Sequence, residues 1–443
     1  MEKIRNLIKQ ESFINSCLSL GAKLIAMIFY MALDILIARK LDMDGYAEWV
    51  FFFAITTMLF YFGWFGINTS AKVYISKQLD KKSQNNTIAA AIFARLIVSV
   101  FATILIMVLS KNVAYLLGYP NKYKDLKMLL FGASWMVFFN SISEFYKELC
   151  IGKKFYKELF VLTVVEYAGY FFWTLIFIIL RQRPESVLLG YIISGACIFV
   201  IGLYYLIHKF EFNFVDVDYR WKDSVKKIVR YALPIALISL GGLILVEMDT
   251  FMLGIFSTKE QVSIYSIAKQ LCSKATHINY AIVVGTMTSF SVITENNVNE
   301  KKRKFYKISK INFAITIFIS VIFWVFTKPV IGILYGTQYL KAGNVIRMLL
   351  PYYILYGVSN YYASFLDFQQ KAKFRSICYI SIIVLNLVLN WALIPKYGAY
   401  GASVATSISL VPYTICVIFG TRRVFKKMIT GGSNKEKNGK QVE

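Results

Sequence analysis

Charged and polar residues interrupt stretches of this chain that are otherwise apolar, and their types suggest what they could do. Lys23 and Asp34 are 11 residues apart, which on a helix returns them to within about 20° of each other, on one face with Met27 and Tyr30. That stripe is either one cation and one anion facing a cavity, or a snorkelling lysine. Glu247 and Asp249 are two residues apart and so point about 200° apart on a helix. They are candidates to exchange a proton or a sodium ion, since a desolvated carboxylate holds its proton more readily. The alternative is a structural ion pair with Lys269 or Lys274. Ser266, Gln270, Lys274 and His277 recur at i, i+4, i+8 and i+11, giving one polar face. Lysine would supply a point charge for a phosphate, and Gln and Ser would bond sugar hydroxyls; a polar seam between helices is the competing reading. Arg95 and Arg347 complete the cationic set. An arginine fork can hold a diphosphate bidentately, although Arg347 is near a segment end and could snorkel. Glu144 and Glu166 are the expected partners of these cations. Tyr352, Tyr353, Tyr356, Tyr361 and Tyr362 read as interfacial belt residues or as a wall for stacking sugar.

Other chemistry is excluded. The six cysteines form no CxxC pair and there are only two histidines, so no metal site is expected. There is no P-loop, no GxGxxG, and no carboxylate pair on an outer loop of the kind a glycosyl-transfer enzyme needs. No cofactor and no catalytic residue are expected, and the chain reads as a non-enzyme.

The elements that must carry these residues are membrane helices. Hydrophobic residues make up 57% of the 443 and charged ones only 17%, with 36 Phe and 30 Tyr; soluble domains have about 45–50% and about 25%. A spanning helix needs about 20 mostly apolar residues. Twelve such segments run over 14–38, 47–67, 88–110, 126–146, 159–180, 187–207, 228–256, 262–293, 311–327, 343–366, 376–394 and 400–420. The ten-residue alternation of a membrane barrel is absent. The formal charge of +25 is assigned to cytoplasmic loops rather than to nucleic acid. With the N-terminus inside, 33 of the 50 Lys and Arg fall in inside pieces, 12 in outside pieces, and five in spans. The positive-inside rule then places both termini in the cytoplasm. No cleavable signal peptide is expected. The basic stretch 208–227 separates a six-helix lobe, 1–207, from another, 228–420, and the polar tail 421–443 is expected to be disordered. A weak echo links the halves: Asp34 is followed by Tyr46 across a short loop, and Asp249 by Tyr265.

Several stretches in order carry a family resemblance. They are ARKLDMDGYAEW (38–49), RYALPIALISL (230–240), MDTFMLGIFSTKEQVSIYSIAKQL (248–271), IGILYGTQYLKAGNVIRMLLP (331–351) and IPKYGAYGASVATSIS (394–409). Together they resemble the polysaccharide transport family, flippases for lipid-linked oligosaccharide repeat units within the multidrug/oligosaccharidyl-lipid/polysaccharide exporter superfamily. The family usually has Gly where this chain has Ala47. The resemblance covers about 10–420. It implies an all-α polytopic membrane protein, with about 12 transmembrane helices in two six-helix lobes around a central cavity, working by alternating access. The implied cargo is an undecaprenyl-diphosphate-linked repeat unit, moved across a bacterial plasma membrane for O-antigen, capsule or similar polymer. Expected cargo-binding residues are Lys23, Arg95, Gln270, Lys274, His277 and Arg347, with Asp34 and Asp249 for ion coupling. Expected partners are the lipid-linked oligosaccharide, membrane lipid and a polysaccharide polymerase complex. A cation-coupled multidrug antiporter of the same superfamily is the alternative reading, disfavoured by the intramembrane Lys and Arg. A membrane polymerase is a third, disfavoured by the short outer loops.

Overall fold

Hydrocarbon offers no hydrogen bonds to backbone, so long apolar segments close their own as helices. The computed structural model describes residues 2–439 except 65, 79, 211, 214–216, 220, 291–292 and 295–296; the side chains of 2–13, 16, 61–64, 234–235, 237–245, 284, 288 and 431–439 also lie outside the description. Among the described residues there are no strands. The helices are α1 (Glu2–Lys40), α2 (Met43–Trp64), α3 (Ile67–Lys77), α4 (Lys81–Leu116), α5 (Leu126–Gly152), α6 (Tyr156–Leu180), α7 (Pro184–His208), α8 (Trp221–Phe256), α9 (Lys259–Met287), α10 (Val298–Leu334), α11 (Ala342–Phe368) and α12 (Ala372–Gly439). The protein is an all-α, multi-pass membrane protein. Seven stretches among the described residues are long and apolar enough by themselves to cross a bilayer.

Each of the twelve expected segments coincides with a helix. The last two share α12, which breaks at Gly398 (φ 54°, ψ −130°). That positive φ suits glycine, and a Cβ there would stand 2.7 Å from Gln261 Oε1. The same Oε1 accepts the Ala399 N–H at 2.9 Å, so a side chain of α9 caps the second half of α12. The short helix α3 lies where the sequence reading has an inside loop. Most of the RYALPIALISL stretch falls on side chains outside the described residues. The expected tail is helical as far as Gly439, and 440–443 lie outside the description.

The chain forms two compact units, Met1–Glu247 and Met248–Glu443, divided inside α8. The amino-terminal part of α8 groups with the first unit because its apolar face packs there. Ile228 and Ala232 join Ile75 of α3, Leu149 of α5, Leu162 of α6 and Ile198 of α7 in one core. The stretch expected as a linker takes part too. Phe210 and Phe212 are buried in that core, Lys153 donates to Phe210 O at 2.7 Å, and Asn86 donates to Asp218 Oδ1 at 2.7 Å.

Within each unit the usual arrangement of a soluble protein is inverted. Large apolar side chains such as Phe101, Val108, Phe318 and Ile333 are exposed, while Ser99, Ser141, Thr316 and Ser320 are buried. Helix packing in lipid relies on small residues that let backbones approach. At Gly190 of α7 a Cβ would meet Thr174 N at 2.7 Å and Thr174 Cα at 2.8 Å, both unable to move without shifting α6. At Gly285 of α9 an added Cβ would meet nothing within 4 Å. Gly190→Ala should therefore lower the melting temperature in detergent, at a cost of about 1–3 kcal/mol, and Gly285→Ala should leave it unchanged or slightly raised. A melting temperature for Gly190→Ala equal to that of the parent would show that the α6–α7 contact is looser than described.

Candidate functional site

In the second unit, Asp249 of α8 is 5% exposed. Tyr265 of α9 donates to its Oδ2 at 2.6 Å. Asn390, in the first half of α12, donates to Oδ1 at 2.5 Å. Thr406, in the second half, stands 2.6 Å from Oδ2 and 2.8 Å from Ala402 O, so its one proton serves one oxygen or the other. Asn390 also donates to Asn386 Oδ1 at 3.0 Å, and its own Oδ1 is buried without a hydrogen-bond partner. The break at Gly398 lets one chain segment approach the carboxylate from both sides. The three donors on Asp249 are neutral, and Lys269 donates instead to Thr250 Oγ1 at 3.3 Å. The carboxylate is thus held by hydrogen-bond donors and by no cation that a hydrogen bond or ion pair above shows. No cluster of three His, Cys, Asp or Glu exists among the described residues.

The first unit repeats the core of this arrangement. Tyr46 of α2 is fully buried and donates to Asp34 Oδ1 of α1 at 3.0 Å. The Asp–Tyr echo in sequence is thus the same contact in both units, an aspartate late in one helix bonded to a tyrosine early in the next. Two residues on, the buried Glu48 accepts the Asp125 N–H at 2.6 Å, at the start of α5. Lys23 is exposed on α1.

Deeper in the first unit is an ionic cluster. Lys147 of α5 is buried and donates to Glu144 Oε1 at 2.5 Å and to Glu166 Oε2 of α6 at 2.6 Å. Ser143 donates to Glu166 Oε1 at 2.5 Å. Tyr170 donates to Asn140 Oδ1 at 2.6 Å, lies 3.2 Å from Glu166 Oε1, and stacks on Tyr191 of α7 at 4.3 Å. Sequence reasoning expected Glu144 and Glu166 to pair with a cation but assigned Lys147 to an inside loop. The apolar run ends near residue 146, and nothing local shows that α5 continues buried to Gly152. Arg95 of α4 is only 1% exposed. Its guanidinium therefore belongs to the interior of the unit and not to an open surface.

The remaining expected residues separate along their helices. On α9, Ser266 is buried, Gln270 and Lys274 are half-buried, and His277 is exposed. A polar seam does join α9 to its neighbours, but it is formed by residues other than that face. Asn279 donates to Asn312 Oδ1 at 3.0 Å and to Thr316 Oγ1 at 2.7 Å, Asn312 donates to Gly357 O at 2.8 Å, and Tyr353 to Ala275 O at 3.0 Å. Arg347 donates to Trp324 O at 3.3 Å and lies 5.3 Å from that ring, while Trp324 itself is exposed. Arg347 is thereby anchored to α10, as a residue near a membrane surface would be. Tyr353 and Tyr361 are buried, so neither a belt nor a sugar wall describes them.

The profile of the polysaccharide biosynthesis protein family matches residues 8–290. The chain belongs to that family. A second profile, MatE, matches residues 234–392. A probable low-salt glycan biosynthesis flippase of Haloferax volcanii is 24% identical over 195 residues, 43% of this chain and 41% of that one. A putative O-antigen transporter of Shigella flexneri is 20% identical over 237 residues, 53% of this chain and 56% of that one. The matches thus span about half the length of these two curated relatives. Among solved structures, an inward-facing MATE family multidrug transporter of the MOP superfamily has a TM-score of 0.73 at 14% identity, covering 91% of this chain and 95% of that one. The lipid II flippase MurJ, inward closed, has a TM-score of 0.70 at 15% identity, covering 95% and 90%. These likenesses establish the fold.

For this member of the polysaccharide biosynthesis family, the Lys147 cluster gives a direct test. Removing one side of a buried ion pair leaves a charge without its partner and costs about 3–5 kcal/mol. Lys147→Met should lower the melting temperature and the membrane abundance sharply, and Lys147→Arg should keep most of both. A double-mutant cycle of Lys147→Met with Glu166→Gln should show the second change costing less than it does alone. Additive losses would mean that the two residues do not depend on each other.

Proposed function

We propose that this protein is a flippase that carries lipid-linked oligosaccharide repeat units from the cytoplasmic to the outer leaflet for surface polysaccharide assembly. The observation that carries this reading is the family profile over residues 8–290, joined by relatives named for glycan flipping and O-antigen transport. The finer reading is an undecaprenyl-diphosphate carrier in a bacterial plasma membrane, with both termini in the cytoplasm. It rests on the charge asymmetry of the loops and on cations suited to a diphosphate. In this reading Lys274, Gln270, His277 and Lys23 meet the phosphates and sugar hydroxyls, with Arg95 contributing positive field from inside the first unit and Arg347 near the outer surface. A polysaccharide polymerase would receive the product.

A second reading, a cation-coupled drug antiporter, is favoured by the MatE match and by the MATE-type fold. Charge separates the two. A cationic drug is repelled by Lys274 and Lys23, and an anionic lipid-sugar is attracted. In a flippase-null strain, Lys274→Ala should abolish surface polymer at normal protein abundance, with lipid-linked repeat units accumulating in the mass spectrum, and Lys274→Arg should restore part of the export. Normal export by Lys274→Ala removes the phosphate-binding role. Drug efflux without any effect on the lipid-linked sugar supports the antiporter instead.

The coupling ion, a proton or sodium, is assigned in this proposal to Asp249. Its neutral cage leaves the carboxylate charge to be balanced by a bound ion, and cargo negative charge nearby would reinforce ion uptake through linkage. Asp249→Asn keeps the shape and most hydrogen bonds. In proteoliposomes with an imposed proton or sodium gradient, the parent protein should flip faster with the gradient and Asp249→Asn should show no response. An equal response in both would exclude Asp249 and leave the cargo gradient as the driving force.

A further inference from the structure

The cytoplasmic ends of α10 and α12, as the charge count orients them, form an open cavity of about 450 Å³ within the second unit, lined among the described residues by Lys302, Tyr306, Arg422, Lys426, Ile429 and Thr430. Three of the six side chains are cationic, two carry hydroxyls, one is apolar, and none is a carboxylate. We propose that this cavity is a binding site for the phosphate of an anionic phospholipid headgroup, a site separate from the cargo residues proposed above.

The cavity stands on a packed base. Phe425 of α12 stacks on Phe365 of α11 at 4.8 Å and lies 5.6 Å from Phe305 and 6.2 Å from Tyr306 of α10. Phe305 also packs on Tyr361 at 4.9 Å and Tyr362 at 5.2 Å. This aromatic cluster fixes the two helices side by side, so the cations above it are held together rather than carried on independent surfaces. Tyr306 and Arg422 both line the cavity, and the Arg422 guanidinium lies 6.0 Å from the Phe419 ring. A guanidinium on the cavity lining offers a fork of donors suited to bidentate phosphate recognition.

The surroundings decide between a lipid and a free anion. Further along the same helices from the cations, Phe419 and Ile415 of α12 and Phe318 of α10 are exposed apolar side chains, the band where acyl chains would lie. Ile429 adds an apolar wall inside the cavity. A free phosphate would use only the cations; a phospholipid would use the cations, the hydroxyls and the apolar border together. Basic pockets between membrane helices on the cytoplasmic side bind anionic headgroups in just this way. The orientation follows the proposed cytoplasmic termini, but the binding itself is a property of the second unit.

The test uses the full chain in nanodiscs, in which both faces are accessible, so its outcome does not depend on orientation or on flipping. Phosphatidylglycerol retained on the protein is counted by native mass spectrometry and by its effect on melting temperature, against phosphatidylcholine and against inorganic phosphate. Three proteins are compared: the parent; Lys302→Gln with Arg422→Gln and Lys426→Gln; and a control with the same charge loss, Lys222→Gln with Lys226→Gln and Lys227→Gln. The parent and the control should hold phosphatidylglycerol alike, and the cavity variant should hold it at least about tenfold more weakly, given about fivefold per cation near a membrane surface. Lys426→Gln alone, at an exposed position away from the aromatic base, should show about a fivefold loss and serves if the triple variant does not fold. Equal weakening in the control would show diffuse attraction and overturn the proposal. So would equal binding of phosphatidylcholine, or full stabilisation by inorganic phosphate alone.

Discussion

A carboxylate inside a helix bundle has to find its hydrogen-bond donors among its neighbours, because the surrounding lipid has none to give. Both units meet that demand with the same contact, a tyrosine hydroxyl from the second helix of a pair bonded to an aspartate of the first. In the second unit the demand reaches further. Asp249 also takes Asn390 and sits against Thr406, so one side chain ties α8, α9 and both halves of α12 together. The break at Gly398, and its cap by Gln261, follow from that requirement. A continuous α12 could not bring residues before and after the break to the same carboxylate oxygens.

The two units handle their other buried polar groups differently. The first gathers Lys147, Glu144 and Glu166, with Ser143 donating to Glu166 Oε1. Charges in such a network hold one another in place, since losing any one exposes the rest. The second unit builds its seam from Asn279, Asn312, Thr316 and the Gly357 carbonyl, which are all neutral. Gly357 is needed there because a Cβ would stand 2.7 Å from Asn279 Nδ2. Apart from that seam, Asp249 is met by the neutral side chains Tyr265, Asn390 and Thr406, an arrangement in which a charge can change without breaking an ion pair, which is why the proposed coupling role falls on Asp249 and not on Glu166.

The helical segments were legible because apolar runs of about 20 residues have one structural solution in lipid. The Asp–Tyr pairs were legible because both partners lie within a single hairpin, 12 and 16 residues apart. Asn390 and Thr406 were not, since they stand 141 and 157 residues from Asp249; Thr406 falls in the 394–409 stretch that carries the family resemblance, but nothing there pairs it with Asp249. The short helix α3 escaped notice because 11 residues carrying Lys72 and Lys77 look like any basic loop; its apolar side is set by Ile67, Ala71 and Ile75, which only the core of the first unit reveals. Lys147 was misplaced for a related reason. Hydropathy marks where a run becomes polar, whereas burial is decided by what packs against it, here α6 with Glu166.

The two Asp–Tyr contacts also differ in a way that their spacing explains. Asp34 lies six residues before the end of α1 and Tyr46 three after the start of α2, whereas Asp249 lies seven before the end of α8 and Tyr265 six after the start of α9. At about 1.5 Å of rise per residue, the partners in the second unit are nearly level across the hairpin, and those in the first are offset by several ångströms. The bond lengths follow, 2.6 Å in the second unit and 3.0 Å in the first. Depth follows as well: Asp249 is buried and Asp34 only half-buried. Both tyrosines are buried, so the four more residues of the second hairpin, about one helical turn, change the level of the contact along the helices and not the burial of the tyrosine. The same contact becomes an enclosed cage in one unit and a shallow hydrogen bond in the other. The enclosure in the second unit is completed by Asn390 and Thr406, which stand against Asp249 from the two halves of α12.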